Sequence, residues 1–224
     1  PYEGIDFTAG LDDGIVSLRV AFSADLGYAS VDDEVARIVA DAVTAFAELG
    51  VSVVHRDPGF ENPKGIFKTH WWAGAAGAFA YYPDSEKAKL EPELAEIVAD
   101  GQKLDIMDYL AAMEGRTALC SQLRSFFEEF DLLLTPSLAV PAFDVGQLQP
   151  PGSVPDDTYW MDWTPFTFPF NLSQQPACSI PCGFTRDGLP VGLQIVADNF
   201  REDLVLRAAR AFEAIRPMDR RPDL

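Results

Sequence analysis

The sequence predicts an α/β fold, a mixed β-sheet with helices packed on it. Three observations carry this. Residues 17–54 run strand, helix, strand with short links, the order of a βαβ unit whose strands pair in parallel. Residues 177–184 and 189–197 are apolar, β-rich runs joined by Thr185-Arg186-Asp187-Gly188, where a Gly after an Asp supplies the positive φ of a tight hairpin. Between these two units, residues 62–130 carry helical patterning, a layer expected to cover the sheet.

Taken in order, the first element is the short β-prone run SLRVAF at 17–22. Ser30, Asp32 and Asp33 then offer a capping hydroxyl and first-turn acids for a helix. Val35, Ile38, Val39, Ala42, Val43, Phe46 and Leu49 recur at spacings of three and four, one apolar stripe that Gly50 can end. Residues 51–54 form the second strand. In the helical layer, Phe67, Trp71, Trp72, Ala75, Ala76 and Phe79 make an apolar face ending near Pro83. A shorter helix follows over 91–99, opened by Pro92, and a longer one over 105–130. LLLTP is a short buried strand stopped by Pro136. Residues 139–170 hold six prolines together with Tyr159, Trp160 and Trp163, so an ordered loop is expected rather than a regular element or a disordered linker. The hairpin is expected at the centre of a core. The last helix is expected to be capped by Asp198 or Asn199, with Leu204, Val205, Ala208, Ala211, Phe212 and Ile215 facing inward.

Composition narrows the function classes. A chain of 224 residues with 48% hydrophobic and 23% charged residues fits an ordinary globular protein. Its net charge of −18 argues against nucleic acid as a direct partner, because phosphate binding needs concentrated Lys and Arg. No segment is long and apolar enough to suggest a membrane partner. Cys120, Cys178 and Cys182 make no even disulfide framework and too few ligands for a closed zinc site, which fits a reducing, cytoplasmic compartment.

The most specific stretch is PFNLSQQPACSIPCGF, followed at fixed spacing by GLPVGLQIV and by a terminal helix with Glu202 near its start. This block resembles the C-terminal part of the amidase signature hydrolases. The resemblance implies the C-terminal part of that family's α/β fold. It also implies cleavage of a carboxamide C–N bond by a Ser, cis-Ser, Lys triad, with no metal or organic cofactor and a small-molecule amide as partner. That triad comes from a Gly- and Ser-rich segment with adjacent serines and an earlier Lys. Here there is no Ser-Ser, no Gly-Gly and only five lysines, so no residue inherits a triad role. Residues 1–224 are therefore expected to be one domain, the C-terminal portion of such an enzyme, inactive by itself. The alternatives are a non-catalytic assembly module whose exposed apolar surface drives homodimerisation, and the glutaminase-like component of a tRNA-dependent amidotransferase.

For substrate contact, the residues singled out are Trp71, Trp72, Trp163, Thr164, Thr167 and Asn171, each with a structural alternative. Only one of two consecutive tryptophans can be deeply buried on a single helix face, which leaves the other to project towards a pocket. Asn171 matches the family's recurring Asn, and its alternative role is to satisfy backbone groups where the loop enters the strand. Thr164 stands where the amidotransferase component is expected to carry an Asp that holds the glutamine amino group, which favours a stand-alone amidase with an aromatic or aliphatic acyl substrate. His55 and His70 have no surrounding motif and are expected to be ordinary structural or surface residues. Cys178 and Cys182 are expected to be small buried hydrophobes. Asp156, Asp157 and Asp162 are expected to be solvated loop acids.

Overall fold

The computed structural model describes residue 4 and residues 6–153 and 159–218, with only the backbone of 159 and 160 described. Five strands form one mixed sheet: β1 (Val20–Phe22), β2 (Val53–His55), β3 (Leu132–Pro136), β4 (Ala177–Phe184) and β5 (Pro190–Ala197), in the order β2-β1-β3-β5-β4. β1 pairs in parallel with both β2 and β3, as the βαβ patterning predicts. β5 runs antiparallel to β3 and to β4. The helices are α1 (Asp33–Thr44), α2 (Lys64–Phe79), α3 (Asp84–Lys87), α4 (Pro92–Gly101), α5 (Ile106–Glu129), α6 (Phe168–Ser173) and α7 (Glu202–Ile215).

The inner strands β1 and β3 are buried on both faces, which explains the unbroken apolar run of β3. On one face Phe22, Leu132, Leu134, Leu193 and Ile195 pack against α1 and α7, with Phe46 stacked on Phe212 at 5.6 Å. On the other face Ala21, Leu133 and Val196 meet Phe67, Leu123, Phe126 and Phe168 from α2, α5 and α6. The stripe from Val35 to Phe46 continues through a 3₁₀ turn at Ala45–Leu49 and ends at Gly50.

Several expectations need correction. The first helix is capped by Asp32 rather than Ser30, its carboxylate accepting from the backbone N–H groups of Glu34 and Val35. Only one strand of the hairpin is central. β5 lies inside the sheet, but β4 is its edge strand, with a bulge between Pro181 and Gly183. Pro181 has no N–H to donate, so it fits only at an edge or a bulge, and here it has both. The aromatic stretch is not all loop. Residues 159–163 form a 3₁₀ turn and α6 begins at Phe168, because Pro169 in a first helical turn loses no intrahelical hydrogen bond. Asn171 therefore sits on a helix. Neither Asp198 nor Asn199 caps α7, whose capping position is Arg201 and whose first turn carries Glu202 and Asp203.

Candidate functional site

The site grows from the face of β4 and β5 that α6 leaves open. Alternation puts Ala177, Ser179 and Pro181 on this face, with Gln194 opposite Ser179 and Gly192 opposite Pro181. Ser137, just beyond β3, reaches over Gly192 so that its Oγ lies 2.6 Å from Ser179 Oγ. A Cβ on Gly192 would lie within 2.6–2.7 Å of both hydroxyl oxygens. The glycine of GLPVGLQ is thus required for close approach. Beneath it, Gln194 Nε2 donates to Thr135 Oγ1 at 3.0 Å and to the Phe166 carbonyl at 2.9 Å, tying the sheet to the segment that enters α6.

Two concavities adjoin along this face, and a third lies beyond α6, between it and α2 and α5. The first, of about 560 Å³, is walled by apolar side chains including Val35, Val140, Phe143, Trp163 and Pro190, with Ser137 and Ser179 as its hydroxyls. Trp163 is fixed there by an edge-on contact with Phe143 at 5.2 Å and by its indole N–H donating to the Leu148 carbonyl. The second, of about 340 Å³, shares Ser179 and adds Thr167, Asn171, Gln175 and Gln194. The third, of about 230 Å³, shares Asn171 and adds Phe67, His70, Trp71, Arg116 and Leu172.

Four of the six residues singled out from the sequence therefore line this connected surface: Trp71, Trp163, Thr167 and Asn171. The two consecutive tryptophans divide as helix geometry requires, Trp72 being 3% exposed in the core and Trp71 47% exposed. Trp72 and Thr164 are both buried and line none of the three concavities. The Thr164 carbonyl accepts from the backbone N–H and the hydroxyl of Thr167, so it shapes the turn into α6. The Asn171 side chain is exposed and makes no hydrogen bond among the described residues. The backbone-satisfying role falls instead to Asn199, whose Nδ2 donates to the Ser173 and Gln174 carbonyls at the end of α6.

Sequence reasoning missed Ser137 and Arg116, and it set His70 aside as an ordinary structural or surface histidine. Ser137 follows a strand-ending proline, and Arg116 lies inside a long helix with nothing in the local pattern to mark it. Asp162 does not stand free, since Lys64 Nζ lies 2.6 Å from its carboxylate. Asp156 and Asp157 fall outside the described residues. Among the described residues, the Ser137 and Ser179 hydroxyls bond to each other and to no His or Lys. His55 packs edge-on against Phe22 and His70 edge-on against Tyr109. Cys182 is buried as expected and Cys178 only part-buried; burial raises the Cys178 thiol to about 11 and that of Cys182 to about 12, so both stay protonated near neutrality.

The chain belongs to the Amidase family, whose profile matches residues 5–206, and its mixed sheet with helical layers is the fold of amidase signature enzymes. It is 35% identical to an acylamidase of Rhodococcus erythropolis over 215 residues, covering 93% of this chain and 44% of that protein. It is 31% identical to the A subunit of the glutamyl-tRNA(Gln) amidotransferase of Myxococcus xanthus, over 93% of this chain and 47% of the relative. Among solved structures, 6-aminohexanoate cyclic dimer hydrolase superposes with a TM-score of 0.86 at 26% identity, over all of this chain and 50% of that one. A bacterial aryl acylamidase gives 0.81 at 25% identity, over 95% and 46%. The chain thus spans about half the length of the relatives it matches. Among the described residues, no helix is long and apolar enough to cross a membrane.

Proposed function

We propose that residues 1–224 form the C-terminal, substrate-pocket-forming part of an amidase that hydrolyses a carboxamide C–N bond through a Ser, cis-Ser, Lys triad carried outside this chain. The observation that bears most weight is the connected surface itself. It gathers an apolar hollow walled by Trp163 and Phe143, followed by the polar Ser179, Thr167 and Asn171. Amide hydrolysis needs an activated nucleophile and a base beside it, and the described residues bring no such pair to this surface. An apolar wall followed by hydrogen-bonding groups suits an amide whose acyl or amine portion is aromatic or aliphatic. In this reading Trp163 packs on the apolar portion, while Thr167 and Asn171 orient the polar atoms. Trp71 flanks the far end, and Trp72 and Thr164 support the walls from behind.

The test is direct. The 224-residue chain incubated with acetanilide and with simple aliphatic amides should release no amine or ammonia. Joined to upstream polypeptide carrying adjacent serines in a Gly-rich segment and an earlier Lys, it should release both. Turnover by the chain alone that survives replacement of all its serines would overturn the proposal.

The second reading, the glutaminase-like component of an amidotransferase, is supported by the 31% identity to the Myxococcus xanthus protein. Against it, the position expected to hold an acid for the glutamine amino group is the buried Thr164. Glutaminase activity in the complete protein, with anilides untouched, would favour this second reading.

A further inference from the structure

The third concavity contains more binding capacity than the fold uses. Arg116 is half-buried on α5, and its Nε donates to the Leu172 carbonyl at 2.6 Å. That bond caps the last turn of α6, where a cation is favoured, and it accounts for one of the guanidinium's five N–H groups. Among the described residues, Nη1 and Nη2 have no hydrogen-bond acceptor and no carboxylate within ion-pair distance. This is unusual in a chain with 35 acidic residues against 17 basic, where a carboxylate partner is abundant. His70 stands across the same hollow from α2, and its Nε2 is buried with no hydrogen-bond partner. The Asn171 amide, likewise unbonded, closes the third side. No Asp or Glu lines the hollow. Its floor is aromatic, with Trp71 stacked on Phe67 at 5.7 Å and an interplanar angle of 24°.

Each group alone has an ordinary explanation, but their convergence does not. A buried donor or acceptor left unpaired costs free energy, and a guanidinium is most stabilised by a bidentate, planar anion. We propose that the corner formed by His70, Arg116 and Asn171 is a carboxylate-binding subsite, taking an organic anion whose flat or apolar body lies on Trp71 and Phe67. The Arg116 Nη groups bond the carboxylate oxygens, and Asn171 and the Nε2–H tautomer of His70 donate to their remaining lone pairs. The volume of about 230 Å³ holds a carboxylate with a small body rather than a whole polymer segment. Because Asn171 also lines the neighbouring hollow, the subsite would select amides that carry a carboxylate at one end. It rests on the amidase reading only for the identity of the molecule that bears that carboxylate.

Binding of benzoate and of its neutral counterpart benzamide to the 224-residue chain tests this, followed through the side-chain NMR signals of Arg116, Asn171 and His70. Neither probe needs turnover, so loss of amidase activity and loss of the subsite are told apart. Benzoate should shift all three signals while benzamide shifts them weakly or not at all. Arg116→Gln should weaken benzoate roughly tenfold or more, as expected when a charge-assisted pair is removed. If that variant loses the dispersed spectrum of a folded chain, His70→Phe, which keeps a ring against Tyr109, should weaken benzoate several-fold. Equal shifts from both probes, no shift from benzoate, or benzoate affinity unchanged in the folded variant would overturn the subsite.

Discussion

Ser137 Oγ and Ser179 Oγ lie 2.6 Å apart, one from the segment after β3 and one from β4, and they meet only because Gly192 between them has no side chain. Gly192→Ala should cost about 1–3 kcal/mol, the range for a methyl forced into filled space. Urea unfolding measures it. Combining Gly192→Ala with Ser179→Ala should return part of that loss, since one of the two crowded oxygens is then gone. Strict additivity of the two changes would show that the close approach does not constrain the sheet.

Adjacent residues in one helix should behave oppositely. Trp72→Ala should destabilise by about 3–5 kcal/mol, as for a large aromatic removed from a packed core. Trp71→Ala should cost under about 1 kcal/mol, since its ring is nearly half exposed. On the proposed amidase reading, in which Trp71 flanks the substrate, Trp71→Ala should raise KM at nearly unchanged kcat.

Arg19 and Asp131 join the start of β1 to the start of β3. The guanidinium and the backbone N–H of Arg19 donate to the Asp131 carboxylate at 2.7–3.2 Å, and Arg19 Nη1 also donates to the Glu128 carbonyl. The side-chain hydrogen bond from Arg19 holds the Asp131 carboxyl below its ordinary value against the opposing effect of burial. A depressed carboxyl contributes stability above its unfolded value of about 3.9 and loses it as pH falls through the lower folded value. Asp131→Asn should therefore lower the urea midpoint at pH 7, and the gap to the parent protein should close below about pH 4. A constant gap from pH 7 to pH 3 would assign the effect to packing. The pair is partly exposed, so the effect should be modest and weaken in salt.

Cys178 and Cys182 should resist alkylation. With the Cys178 thiol raised to about 11, its thiolate fraction at pH 8 is roughly a hundredfold or more below that of a free cysteine. Iodoacetamide at pH 8, read by mass spectrometry, should leave both unmodified until urea unfolds the chain. Rapid labelling of the native protein at buried Cys182 or part-buried Cys178 would contradict the suppression of these thiolates.

The local elements were legible in the sequence because they follow from short-range rules. The α1 stripe, the helix at Pro92–Gly101, the buried LLLTP strand and the turn at Gly188 each come from periodicity, a first-turn proline or a required φ. The family followed from PFNLSQQPACSIPCGF and GLPVGLQIV. Pro181 was also a readable sign that its strand lies at an edge, though the apolar pattern of the hairpin pointed to the centre. What only the tertiary structure decided is which distant residues meet. Ser137 and Ser179 are 42 residues apart, and Arg116 lies 56 residues from the Leu172 carbonyl it caps. The order β2-β1-β3-β5-β4 brings the end of β3 beside the hairpin, and the packing of α5 on α6 brings Arg116 to Asn171. Periodicity along a chain reports which side of an element is buried, whereas a binding site is built from contacts between elements. Those contacts are fixed by strand order and helix packing, and no local pattern encodes them.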